Sequence, residues 1–159
     1  MTEQCHMKKA RLLIAGIGNE LLMDDGIGVL AARQLAAAPP AETTVVEIGT
    51  DFLSAVSYME SHEIVLAIDA MDAQGPPGTL YEGTLDEIDP IQGNVSLHEL
   101  GLKAMLNFIE PPKRPRIYVL GIQPGQIAYG MELSSLLQEK LPFVVSAARV
   151  IADRLLQRI

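Results

Sequence analysis

A few side chains in this sequence have the chemistry to hold a metal ion or move a proton. Asp24 and Asp25 lie in the run GIGNELLMDDGIG at Gly16–Gly28, Asp69 closes the apolar run EIVLAID with Asp72 close behind, and His98 opens HELGL. Asp25, Asp69 and His98 together offer two carboxylates and one imidazole. That donor set suits a borderline divalent ion such as Ni²⁺ or Zn²⁺ better than Mg²⁺ or Ca²⁺. Three ligands leave positions open for a water or for groups from a partner. The residues stand far apart in sequence, so only a fold could assemble them. Each also has a plainer reading. Asp24 or Asp25 could cap the following helix, Asp69 could cap a turn, and His98 could cap its own helix or pack against it. Met23 and Met71 read as local packing, and His6 and His62 as surface residues.

The elements that must position these residues follow from apolar patterning. RLLIAGI at Arg11–Ile17 is a continuous apolar run, as expected of a strand buried on both faces of a parallel sheet. Ile27–Ala38 reads as a helix stopped by Pro39-Pro40. Thr43–Ile48 is a second strand, and Thr50 and Asp51 are good caps for a helix over Phe52–Glu60. Glu63–Asp69 is a third strand. MDAQGPPG is turn chemistry, Thr79–Leu85 a short edge strand, and Asp86–Ser96 a loop. Leu97–Ile109 has helical spacing and stops before Pro111-Pro112. Arg116–Ile122 is a further buried strand, closed by Gln-Pro-Gly. Pro142–Ile159 reads as the last helix, with proline in its first turn.

Short apolar strands alternating with helices predict a three-layer α/β/α sandwich around a mostly parallel twisted sheet of about five strands. Ligands of such sheets bind outside the carboxyl ends of the strands. Asp25, Asp69, His98 and the Gly121-Ile122-Gln123-Pro124 turn all fall at or near that edge.

Other functions fit less well. Gly16-x-Gly18 suggests a dinucleotide fold, but the third glycine would fall at Leu21, and an acidic helix start repels a pyrophosphate. A phospho-acceptor signalling domain would use Asp69 with the Asp24–Asp25 pair. It also needs a lysine after the last strand, where Gln123 stands.

The chain has 159 residues, 48% apolar and 20% charged, with a net charge of -8. That length suits a single domain, 1–159, with a core over about 11–156. Disorder is excluded by the apolar content. No apolar run approaches the roughly 18 residues of a membrane span, and the N-terminal segment lacks the form of a signal peptide. The acidic balance argues against nucleic-acid binding. The basic cluster Lys113–Arg116 reads as a solvated loop. Cys5 is the single cysteine, so an internal disulfide and a thiolate zinc cluster are excluded. These features predict a cytoplasmic protein.

Taken together, GIGNELLMDDGIG, VLAIDAMD around Asp69, HELGL at His98–Leu102 and GIQP at Gly121–Pro124 resemble the [NiFe]-hydrogenase maturation endopeptidases. The resemblance runs from Arg11 to about Leu156. It implies an endopeptidase that removes the C-terminal extension of the hydrogenase large-subunit precursor after nickel insertion. It implies that Asp25, Asp69 and His98 are the metal-recognition and catalytic residues, with Asp24 or Asp69 as a candidate general base. The metal would be nickel already seated in the precursor, with no permanent cofactor. Within the resemblance, a module that recognises nickel protein without cutting it is the alternative. Glu47-Ile48-Gly49-Thr50 departs from the family's Asp-Gly-Gly-Thr turn.

Overall fold

The structure, a computed structural model, describes residues 10–88 and 97–159, with side chains for 11–88 and 101–159. Among the described residues five strands form one sheet: β1 (Ala10–Ile17), β2 (Thr43–Gly49), β3 (His62–Ala70), β4 (Leu80–Thr84) and β5 (Arg116–Ile122), in the spatial order β2-β1-β3-β5-β4. All neighbours pair in parallel except β4, which runs antiparallel to β5 at the edge. The helices are α1 (Ile27–Ala37), α2 (Phe52–Glu60), α3 (Leu97–Leu106) and α4 (Ser135–Leu156). The predicted α/β sandwich is therefore the observed one.

Alternation along the buried strands sorts the core into two layers. Leu12, Ile14, Leu66 and Ile68 pack under α1 and α4 with Ile27, Leu35, Val144 and Ile151. Leu13, Ala15, Val65 and Ala67 pack under α2 and α3 with Ala55, Met59 and Leu102. The chain leaves β1 towards β2 on one side and returns to β3 on the other. That reversal makes the β1/β3 boundary the switch point where sheets of this type open a crevice at their carboxyl edge.

Several boundaries and burials depart from the sequence reading. The last helix begins at Ser135, a turn or more before Pro142, which lies inside it. Proline there removes the bond to the carbonyl of Gln138; both residues are exposed, so water can satisfy that carbonyl. α3 ends at Leu106, three residues before the expected stop at Ile109, with the chain continuing as turns. His62 is a core residue, not a surface one. Its Nδ1 stands 2.7 Å from the Tyr58 carbonyl and its Nε2 2.9 Å from Thr44 Oγ1. A carbonyl only accepts, so Nδ1 carries the proton. Asp51 caps α2 as expected, accepting from Ser54 N at 3.3 Å. Cys5, His6 and most of the loop predicted over 86–96 lie outside the described residues.

Candidate active site

The loop after β1 closes tightly because glycines permit it. Gly18 has φ +133°, and a Cβ there would lie 1.9 Å from the Asp25 carbonyl oxygen. At Gly28 a Cβ would lie 2.0 Å from the Ile68 carbonyl and 2.4 Å from that of Ile17. The first turn of α1 therefore rests directly on the ends of β1 and β3. One turn of 3₁₀ helix, Met23–Gly26, leads into α1 and carries both acids.

Asp24 and Asp25 are adjacent in sequence and differ in surroundings. Asp24 is fully buried. Its Oδ2 accepts from Gly125 N, Gln126 N and Ser134 Oγ at 2.8–2.9 Å, and its Oδ1 accepts from Ser134 N at 2.7 Å. The carboxylate thus clamps the segment between β5 and α4. Asp24 does not cap α1, whose cap is Gly26 without a side-chain bond. Asp25 is half-buried and accepts from Asn19 N at 2.9 Å, which draws the glycine turn around it.

Asp69 is buried at the end of β3, in register with Gly121 of β5. It follows Val65 and Ala67 in the alternation, so its side chain belongs to the layer of α2 and α3. β1 lies next to β3 with Gly16 opposite Ile68, so the turn carrying Asp25 begins level with Asp69 on the adjacent strand. α3 covers the same layer. A Cβ on its Gly101 would meet the Phe52 ring at 2.8 Å, and Phe52 starts α2 just beyond the carboxyl end of β2. His98 precedes Gly101 by one turn, so its backbone stands at that edge too; its side chain lies outside the described residues. The backbone thus sets the turn bearing Asp25 and the end of β3 bearing Asp69 at the carboxyl edge of neighbouring strands, and α3, which carries His98, covers the layer of Asp69. Among the described residues, no three His, Cys, Asp or Glu side chains form a metal-holding group.

Gln123 is a site residue that the sequence showed only as part of a turn. It is buried. Its Oε1 accepts from Ala73 N at 2.9 Å and Gly75 N at 3.2 Å, and its Nε2 donates to Asp72 Oδ1 at 2.9 Å. One carboxamide therefore shapes the loop that follows Asp69. The Gln123 amide, and secondarily the Gln74 N–H, hold the Asp72 carboxyl below its ordinary value. The signal available in the sequence was a lone glutamine between a glycine-bearing strand and a proline.

At the outer end of β2, Glu47 takes Arg33 with both oxygens, at 3.1 and 2.7 Å, while Arg33 also reaches Glu20 at 2.8 Å. The hydrogen bonds to these two glutamates raise the guanidinium pKa further, Glu47 contributing more. In place of the expected family turn, the longer Glu47 side chain is thus tied into an exposed ion-pair cluster.

The model of the hydrogenase maturation protease family matches residues 29–150 of this chain. The chain belongs to that family. As a hydrogenase maturation protease it is a peptidase. The hydrogenase expression/formation protein HupD of Rhodobacter capsulatus is 29% identical over 148 residues, spanning 89% of this chain and 70% of that one. The solved [NiFe] hydrogenase maturation protease HybD from Thermococcus kodakarensis is 31% identical, with a TM-score of 0.73 over 89% of this chain and 99% of the other. The hydrogenase maturating endopeptidase HybD from E. coli shares the fold, with a TM-score of 0.79 at 21% identity over 91% and 93% of the two chains.

Proposed function

We propose that this peptidase removes the C-terminal extension of a [NiFe]-hydrogenase large-subunit precursor after nickel insertion. On this reading Asp25, Asp69 and His98 recognise the nickel already held by the precursor. What supports it, besides the family, is that the turn bearing Asp25 and the end of β3 bearing Asp69 meet the same edge of the sheet at the β1/β3 switch point, with α3 bearing His98 on the layer of Asp69. Two carboxylates and a neutral imidazole are an acceptable donor set for nickel. They add to ligands the precursor supplies, so affinity arises in the complex, and the protease needs no resident metal.

The chemistry is metal-assisted hydrolysis. Nickel in the substrate polarises the scissile carbonyl as a Lewis acid or acidifies a bound water. On this reading Asp69 takes the water's proton. Asp24, the other candidate base, has four donors on its two oxygens and no exposure, so we assign it to holding the fold. The single cysteine in the composition fits a reducing cytoplasm.

The test is incubation with nickel-loaded and nickel-free precursor, followed by mass analysis of the C-terminus. The expected result is cleavage of the loaded form alone, by protease washed with a chelator and then freed of it. Equal cleavage of both forms overturns nickel recognition. So does a stoichiometric zinc in the isolated chain that activity requires.

A further inference from the structure

Between β5 and α4 the chain makes an uncharged strap, Gly125–Met131 (GQIAYGM), that lies against the turn bearing Asp24 and Asp25. Its backbone is moored there. Gly130 N donates to the Leu21 carbonyl at 3.0 Å, Met23 N to the Gly130 carbonyl at 2.9 Å, and Asp24 N to the Gln126 carbonyl at 3.1 Å. The Asp24 carboxylate adds its bonds to Gly125, Gln126 and Ser134. Met23 is held at φ +51°, a conformation that a side chain other than glycine adopts only when its surroundings impose it.

This tightly held segment exposes large apolar side chains. Tyr129 is 95% exposed, Met131 77% and Ile127 53%, and Leu21, to which the strap is bonded, is 57% exposed. Single exposed apolar residues need no explanation, but several on one short, immobilised ledge mark an interaction surface. A ledge fixed before binding spares a partner the entropy of ordering it.

We propose that this ledge is where the folded body of the large-subunit precursor docks while its C-terminal segment lies at Asp25 and Asp69; the proposal rests on the protease reading above. Proximity selects that occupant. Gly130 is hydrogen-bonded to Met23, and Met23 is two residues from Asp25, a separation of at most about 7.6 Å between Cα atoms. A stable interface covers about 800 Å² per partner, roughly a disc of 16 Å radius. A folded substrate that presents its chain end to the two acids therefore has the ledge within the reach of its interface. Aromatic and methionine side chains are those enriched in such contacts.

The experiment compares Ile127→Ser and Tyr129→Ser with Val150→Ser, a control of similar exposure (66%) about 22 Å along α4 from Ser135. Binding of nickel-loaded precursor and release of its C-terminal peptide are measured on the same samples. The ledge variants are expected to weaken binding and raise KM at least tenfold, with kcat within about twofold and unchanged thermal unfolding, while Val150→Ser behaves as wild type. Unchanged binding and KM in both ledge variants, with wild type cleaving, overturns the ledge and leaves the protease reading intact. Binding weakened by the variants, with no cleavage by wild type, supports the ledge and overturns the protease reading. Sedimentation showing a dimer that Tyr129→Ser dissociates assigns the ledge to a second copy of this chain and overturns the proposal.

Discussion

The loop after β1 carries Asp25 and the loop after β3 follows directly on Asp69, and the two loops are braced by different chemistry. Behind Asp25 the brace is a buried carboxylate, Asp24, which can only accept and does so from four donors on a distant segment. Behind Asp69 it is a buried carboxamide, Gln123, which accepts with one end and donates with the other. The first brace carries charge into the interior, so losing it strands several donors at once. The second is neutral and serves a loop whose own acid, Asp72, stays exposed. Adjacency in a motif therefore does not tell which acid is buried in the fold; the four donors and full burial of Asp24 do.

Substitutions can break or sharpen that contrast. The largest effects belong to the three proposed nickel-recognition residues. Asp69→Ala, Asp25→Ala and His98→Ala are each expected to lower precursor cleavage at least a hundredfold, as loss of a proton-transfer or metal-polarising group does. Circular dichroism should show the fold retained. A variant that unfolds instead assigns its residue to the fold, as Asp24 is assigned here.

Next comes Asp24→Ala. It leaves the N–H groups of Gly125, Gln126 and Ser134 without their acceptor and should cost about 2–4 kcal/mol in urea unfolding. Activity should fall through misplacement of the strap and of Asp25. An Asp24→Ala protein as stable as wild type would show that the buried carboxylate does not brace this loop.

Gln123→Ala should cost less, about 1–2 kcal/mol, since the N–H groups of Ala73 and Gly75 lie in a part-exposed loop that water can reach. Its distinctive readout is Asp72. In wild type that carboxyl is depressed, so its contribution to stability is present above the unfolded value near 3.9 and is lost as pH falls through the folded value. Without the Gln123 amide, the Asp72 titration followed by NMR should move upward. On an exposed group the associated change is only a few tenths of a kcal/mol.

The smallest effect is expected at Glu47→Gln. The Glu47–Arg33–Glu20 cluster is exposed, and such pairs contribute about 0–1 kcal/mol. Cleavage should fall less than about tenfold. A complete loss would mean that this turn takes part in substrate docking.

The sequence by itself determined the sheet, its parallel character and the edge where chemistry collects. Runs such as RLLIAGI and EIVLAID, short and closed by turn residues, have the form of central strands, and glycines beside acids are legible because turn geometry is local. It also determined which residue types were available, and four short motifs carried the resemblance to the family that the family model then matched. Only the tertiary structure decided what each polar group does. Nothing local distinguishes Asp24 from Asp25; the distinction comes from Gly125, Gln126 and Ser134, a hundred residues away. Gln123 and His62 are likewise defined by donors and acceptors that other strands and loops bring to them. The start of α4 eluded the sequence because Pro142 has the look of a first-turn residue, whereas Ser134, anchored on Asp24, sets the helix start a turn or more earlier. Burial and hydrogen-bond partnership are non-local, so they can be read only once the chain is folded.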